Sequence, residues 1–172
     1  MKKTKIRQFA VENKLVFALL SISITFTVVT IIILYIRFKK MKTATVPLKG
    51  KVTSKFGKRI APTSGASTEH NGVDIAATVG TKIVCPLDGV VSDINTHKTG
   101  GKQLIIKHVN GYKTGYAHLS GYNVVVGEKV KQNQVIAFVG NTGVSTGAHL
   151  HFTVTNPLGI KVNPEDYFNF EN

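Results

Sequence analysis

Lys102–Leu119 reads KQLIIKHVNGYKTGYAHL. Lys102–Val109 is read as a strand, with side chains alternating between its two faces. Asn110-Gly111 follows, a strong hairpin signal in which both turn residues are expected at positive φ, and Tyr112–Leu119 returns from it. The same texture extends outward. Lys82–Pro86 leads into the turn Leu87-Asp88-Gly89, and Val90–Asn95 follows. Val124–Val126, Val135–Val139 and Leu150–Thr155 complete a set of short Val- and Ile-rich runs punctuated by Gly, Asn and Pro. No stretch of this half sustains a helical period, and no internal repeat is evident. Residues 48–168 are therefore expected to form a mainly β domain, a small antiparallel sheet or sandwich with one core.

The N-terminal part has a different composition. Leu15–Ile36, LVFALLSISITFTVVTIIILYI, is 22 residues without a charge. As a helix it would span ~33 Å, close to the ~30 Å hydrocarbon core of a bilayer. It is apolar or hydroxylated on all sides, unlike an amphipathic core helix. It closes on Tyr35, Arg37, Lys39 and Lys40, which suit the headgroup layer. A cleaved signal peptide would have an apolar region of only ~7–15 residues and a small-residue cleavage site, and Thr43-Ala44-Thr45 is a poor one. An uncleaved transmembrane anchor is expected. The chain thus divides into a short basic tail (1–14), a transmembrane helix (15–36), a juxtamembrane linker (37–47), the β domain (48–168) and a C-terminal tail (169–172). Fully extended, a link of ~10 residues reaches ~35 Å, so the domain would work near the membrane surface.

Composition excludes some classes. The 172 residues carry 22 Lys or Arg and 9 Asp or Glu, a net charge of +13. With 42% apolar and 18% charged residues this is not a disordered chain. One cysteine excludes an intramolecular disulfide. Residues 1–42 hold nine basic residues and one acid (+8), and residues 43–172 hold thirteen and eight (+5). Most of the excess charge flanks the apolar helix, so no nucleic-acid partner is expected. Five basic residues precede the helix and four follow it, which gives an inner N-terminus only a slight preference.

All six histidines lie in the second part. Three clusters hold most of them: His70-Asn71-Gly72-Val73-Asp74, Tyr116-Ala117-His118-Leu119-Ser120 and Gly147-Ala148-His149-Leu150-His151-Phe152. In a strand His149 and His151 point to one side while Leu150 faces the core. Zinc is the commonest shared partner of two such imidazoles. A Gly-turned approach through Gly72 can bring His70 and Asp74 together. A catalytic zinc needs three protein ligands and an open water position. Two imidazoles and one carboxylate supply them and leave a net charge near +1, which favours ionising bound water. Cys85, in the apolar run Ile83-Val84-Cys85-Pro86, is expected to be an inert core thiol. His97 is expected in an exposed loop, and His108, at a strand end, in a structural role.

The ordered set of motifs resembles the lysostaphin/LytM-type zinc metallopeptidases, which cut peptide bonds in bacterial peptidoglycan. It runs through Ser54-Lys55-Phe56-Gly57-Lys58-Arg59, His70–Ala77, Asp88-Gly89-Val90-Val91, Tyr116–Ser120, Gly140-Asn141-Thr142-Gly143 and His149–Phe152, and closes at Asn163-Pro164. The resemblance implies a small antiparallel β domain with a groove over the sheet and one zinc on its floor. It places the zinc ligands on His70, Asp74 and His151, and two further active-site histidines on His118 and His149. One of these would take a proton from water, and the other would hydrogen-bond the oxyanion or protonate the leaving amine. Ser120 and Ser145 would shape groove edges.

The implied activity is that of a membrane-anchored zinc metalloendopeptidase acting on a stem-peptide cross-link or interpeptide bridge. The alternative is a non-catalytic wall-binding module that activates or scaffolds other hydrolases or an envelope-spanning machine. Such relatives have lost ligands, whereas all five positions stand here. Peptidoglycan lies outside the cytoplasmic membrane, so residues 43–172 are expected outside and 1–14 inside. Three departures from the family pattern stand out: Thr153 where Glu is frequent, Thr78 where Pro is common, and Thr99-Gly100-Gly101-Lys102-Gln103 at the groove border.

Overall fold

The structure, a computed structural model, describes residues 2–171. It separates into two compact units that meet in sequence at Lys39 and Lys40. The first is a helix, α1 (Lys2–Lys42), which runs beyond the apolar stretch at both ends. Within it Val16–Lys39 is long and apolar enough to cross a membrane. The hydroxyls of Ser21, Thr25, Thr27 and Thr30 donate to carbonyls three or four residues back. The helix thus satisfies these four hydroxyls within its own backbone, which suits an apolar surrounding.

The second unit is antiparallel β structure, as expected. Its strands in chain order are β1 (Val52–Ser54), β2 (Gly57–Lys58), β3 (Glu69–His70), β4 (Val73–Ala76), β5 (Lys82–Val84), β6 (Gly89–His97), β7 (Gly101–His108), β8 (Lys113–Leu119), β9 (Gly121–Tyr122), β10 (Lys129–Val130), β11 (Val135–Phe138), β12 (His149–Thr155) and β13 (Lys161–Val162). A 3₁₀ turn, Pro164–Asp166, follows. The main sheet has eight strands in the order β1-β4-β12-β8-β7-β6-β10, with β13 paired to the end of β12. A second sheet, β5-β11-β9, and the short ribbon β2-β3 complete the domain. One face of the main sheet supplies Val73, Ile75, Leu104, Ile106, Tyr116, Leu150, Phe152 and Val154 to the core, all at most 1% exposed. The residues between them form the opposite, open face.

Two local expectations need correction. The hairpin turn is not a two-residue loop with both residues at positive φ. His108 N–H donates to the Tyr112 carbonyl and Gly111 N–H to the His108 carbonyl, enclosing three residues. Only Gly111 is left-handed there (φ 85°), the pattern of a type I turn closed by a glycine bulge. Val124–Val126 is not a strand. Val125 and Glu128 close a turn on each other, through both the Glu128 amide and its carboxylate. Val125 and Val126 consequently lie exposed while Val124 is buried.

The domain also gathers chain at both margins. Thr45 N–H reaches the Pro86 carbonyl, Val84 N–H reaches the Pro47 carbonyl, and Leu48 is buried. Phe170 is 2% exposed and stacks with Phe152 and Phe168, while its carbonyl accepts from Gly50 N–H. Phe170 thus joins the core, because a phenylalanine two positions beyond Phe168 returns to the same face, while Asn169 and Glu171 stay exposed.

Candidate active site

Three neighbouring strands set the site. On β12, His151 lies directly opposite Asp74 of β4 on one side and Ala117 of β8 on the other. His149 is two residues earlier on the same open face, and Leu150 between them is fully buried. His70 ends β3, and Asn71-Gly72 turns the chain into β4. At Gly72 a side chain has no room: a Cβ would lie 2.8 Å from Thr153 Cγ2 and 3.0 Å from His151 Cε1. Glycine is required by this close approach, which brings His70 over the sheet.

His70 Nε2, Asp74 Oδ1 and His151 Nδ1 converge. They lie 3.1 Å (His70–Asp74), 3.0 Å (His70–His151) and 2.8 Å (Asp74–His151) apart. The outer nitrogens are committed elsewhere. His70 Nδ1–H donates to the Lys55 carbonyl at 2.7 Å, and His151 Nε2–H to Asn71 Oδ1 at 3.1 Å. With those protons placed, both inner nitrogens present lone pairs to the carboxylate oxygen. Three acceptors around one point repel unless a cation sits among them. Zinc bonds of ~2.0–2.2 Å to nitrogen and oxygen fit donors at this spacing, so the residues suit the ion. Asp74 Oδ2 is taken by Arg59 Nη1 at 2.9 Å, which turns Oδ1 inward. Burial alone would raise the Asp74 carboxyl. The close contacts with His151 and His70 outweigh it and hold the group well below the usual carboxylate range.

Two more imidazoles face this point without joining the trio. The His118 and His149 rings lie 4.6 Å apart. His118 Nδ1–H donates to the Thr142 carbonyl at 2.7 Å and His149 Nδ1–H to the Gly147 carbonyl at 2.8 Å. Each ring thereby keeps Nε2 as a free acceptor. His149 Nε2 is 3.7 Å from Asp74 Oδ1. Burial lowers the His118 pKa below its ordinary value, against the Thr142 hydrogen bond that raises it, so the ring is a neutral base at neutral pH. Its backbone is left-handed, with φ 59°, a conformation that costs a non-glycine residue about 1–3 kcal/mol. Thr142 holds it there: its hydroxyl donates to the Leu119 carbonyl and accepts from Lys102 N–H, while His118 N–H donates to the Gly100 carbonyl.

These groups line an open groove of about 830 Å³. One wall is residues 60–69 and the other residues 144–148, with Thr99, Gly100 and Gln103 at the far border. Ser145 stands in that wall, and its hydroxyl donates to the Gly147 carbonyl. Cys85 is fully buried, and burial raises its thiol to about 11, so it is inert. His97 is exposed. His108 is buried in the core, between the Leu87 carbonyl and Thr114 Oγ1, and has a structural role. Arg59, Asn71 and Thr142 each orient a group of the site, yet carry no chemistry in the motifs alone. Only their place within the matched stretches could have marked them.

Comparison with known proteins agrees with this geometry. The sequence model of peptidase family M23 matches residues 68–164, more than half of the chain. The peptidoglycan DD-endopeptidase ShyA of Vibrio cholerae is 40% identical over 108 residues, covering 62% of this chain and 25% of that protein. A zinc-containing peptidase from Vibrio cholerae superposes with a TM-score of 0.64 at 36% identity, over 70% of this chain and 39% of that one. The catalytic domain of the antimicrobial peptidase lysostaphin from Staphylococcus simulans gives 0.62 at 30% identity, over 69% of this chain and 91% of that one. The chain spans between a quarter and somewhat over a third of the length of the first curated relatives it matches.

Proposed function

This chain belongs to peptidase family M23, and from that premise we propose that it is a membrane-anchored zinc metalloendopeptidase that hydrolyses peptide bonds in bacterial peptidoglycan. His70, Asp74 and His151 hold one zinc ion per chain, and His118 and His149 are the catalytic pair. The observation that carries this reading is the convergence of His70 Nε2, Asp74 Oδ1 and His151 Nδ1 within 3.1 Å of one another, beside two imidazoles whose Nε2 atoms are free. Bound zinc supplies a Lewis acid for the scissile carbonyl and a water of pKa near ~7.

The chain's own groups do the rest. Asn71 and the Lys55 carbonyl fix the tautomers of the two histidine ligands. Arg59 keeps one Asp74 oxygen turned inward. With Nδ1–H tied to a backbone carbonyl, each of His118 and His149 can accept a proton only at Nε2, the atom that faces the groove. One of the two removes a proton from the attacking water and, as an imidazolium, returns it to the leaving amine. The other, when it carries a proton at Nε2, donates that N–H to the carbonyl oxygen as charge develops there. No covalent enzyme intermediate is needed, and the buried Cys85 takes no part.

Peptidoglycan lies beyond the cytoplasmic membrane. The Val16–Lys39 span therefore anchors the chain with its N-terminus inside and the β domain outside. The test uses the full chain in detergent micelles: zinc is counted by elemental analysis, and new amino groups are followed on purified peptidoglycan. About one zinc per chain and release of amino groups, both abolished by a chelator and restored by zinc, are expected. Zinc without cleavage of any wall type would instead favour the non-catalytic module, and no zinc would remove the ligand assignment.

A further inference from the structure

The open face of the main sheet continues past the metal-facing residues. Thr153 and Thr155 follow His151 on the same face of β12, and on β8 they pair with Gly115 and Lys113. Gly115 lacks a side chain, and one placed there would run into Thr153 Oγ1. The floor therefore stays low and a second cavity opens, about 380 Å³, that shares His151, Asn71 and Gln103 with the main groove.

Lysines close its far end. Lys113 pairs with Lys107 on β7 and with Thr155 on β12, and Thr155 pairs with Lys161 on β13. These four residues form one row across four strands. Lys161 leans back along the sheet and donates from Nζ to Thr153 Oγ1 at 3.0 Å. No acidic side chain lines this cavity, and none of the three lysines forms an ion pair among the described residues. Burial and the neighbouring Lys113 charge push the Lys161 ammonium below its ordinary value. Two like charges converge on one pocket with nothing of opposite sign to receive them, an arrangement that favours an anionic ligand.

We propose that Lys161 and Lys113 form a carboxylate subsite that fixes the register of the peptide substrate in the groove. Thr153 is two residues from His151, ~7 Å along the strand. The carboxylate held there therefore belongs about two residues from the bond that is cut, on an extended chain that lies over Gly115. Thr153 supports the subsite by contributing a neutral hydroxyl: an acidic side chain at that place would neutralise Lys161 itself. The inference rests on the endopeptidase reading for its substrate class.

The test measures binding and cleavage separately. A fluorescent cross-linked stem-peptide dimer is prepared in two forms, with its carboxyls free or converted to amides. Both are titrated into the full chain in detergent micelles, as wild type, Lys161→Gln, Lys113→Gln and the double variant. Wild type is expected to bind the acid form about tenfold or more tightly than the amide. That preference should shrink severalfold in each single variant and vanish in the double, with affinity for the amide unchanged. Equal affinity for the two forms in wild type, no measurable binding of either, or a preference that survives in the double variant would overturn the subsite. Cleavage of the same peptides is read independently. An acid preference without cleavage counts against the catalytic reading alone, and cleavage of both forms without preference counts against the subsite alone.

Discussion

Arg59 Nη1 lies 2.9 Å from Asp74 Oδ2, while the other oxygen of that carboxylate faces His70 and His151. A carboxylate with two free oxygens could rotate or bridge. Here the guanidinium occupies one oxygen, and both groups are largely buried, with side-chain exposures of 19% and 13%. The same nitrogen also donates to Ser54 Oγ, so the arginine is itself anchored.

Arg59→Met should therefore loosen the metal site without removing a ligand. Zinc affinity is expected to fall ~10–100-fold, the usual effect of losing a group that orients a ligand. Competition with a chromophoric chelator measures it. Arg59→Lys should recover only part of the loss, because an ammonium on a shorter reach cannot hold Ser54 and Asp74 together in the same plane. Unchanged zinc affinity in Arg59→Met would mean that the strand pairing alone orients Asp74.

His108 makes stability depend on pH. It is 3% exposed, and burial lowers its pKa despite hydrogen bonds to the Leu87 and Asp88 carbonyls. The unfolded chain, with a histidine pKa of ~6.5, binds the proton more readily than the folded one. Its contribution is thus complete above pH ~6.5 and is lost as pH falls through the lowered folded value. Thermal melts of wild type and His108→Ala, both with chelator so that metal release does not contribute, separate this residue from His118 and His151. At pH 7.5 the variant should be less stable by about 2–4 kcal/mol, for a cavity and the lost hydrogen bonds to Thr114 Oγ1 and the Leu87 carbonyl. The gap should narrow towards pH 5. A gap independent of pH would assign the whole effect to packing.

Much of this architecture was legible in the chain itself. The strand-like runs on either side of Asn110-Gly111 located the hairpin, and the i, i+2 spacing of His149 and His151 put both imidazoles on the open face with Leu150 beneath. The two positive-φ residues expected at the turn reduce to Gly111 alone, because a three-residue loop relieves Asn110 of that conformation. Three consecutive valines at 124–126 read as a strand, but the Glu128 carboxylate captures the Val125 amide, a contact invisible to local pattern. The parts of the site hardest to read were those set by long-range backbone: the Thr142 and Gly147 carbonyls that orient His118 and His149, and the left-handed turn at His118. Backbone acceptors leave no mark in side-chain sequence.

The C-terminal residues offer a direct check on where the domain ends. Phe170 packs 6.0 Å from the Phe152 ring and 5.8 Å from Phe168, and its backbone pins Gly50. Phe170→Ala should cost about 3–5 kcal/mol, as for other fully buried aromatic rings. A chain ending at Asn169 should lose at least as much, since the Gly50 hydrogen bond goes too. Chemical denaturation with unchanged slope is the measurement. A loss under about 1 kcal/mol would return residues 169–172 to a dispensable tail.

The division of labour among the five site residues can be tested by separating metal content from rate. His151→Ala removes a donor that sits opposite Asp74 on the neighbouring strand, and leaves two ligands too few to hold zinc. Stoichiometry should fall well below one per chain, and activity should fall with it. His118→Ala and His149→Ala remove rings whose Nδ1–H groups are tied to backbone and whose Nε2 atoms serve no ligand. Zinc should stay near one per chain in both, while kcat drops ~10²–10⁴-fold, the range for losing a positioned proton-transfer group. With His118 as the base, its variant should also lose the acid limb of the wild-type pH–rate profile, and with His149 as the base it should keep it. In the first case that limb is expected below the ordinary histidine value of ~6.5, because burial lowers the His118 pKa and the neutral ring is the active form. If His149→Ala instead loses zinc while His151→Ala keeps it, the ligand and the helper on β12 must be exchanged. The 3.7 Å between His149 Nε2 and Asp74 Oδ1, against 2.8 Å for His151 Nδ1, argues for the assignment made here.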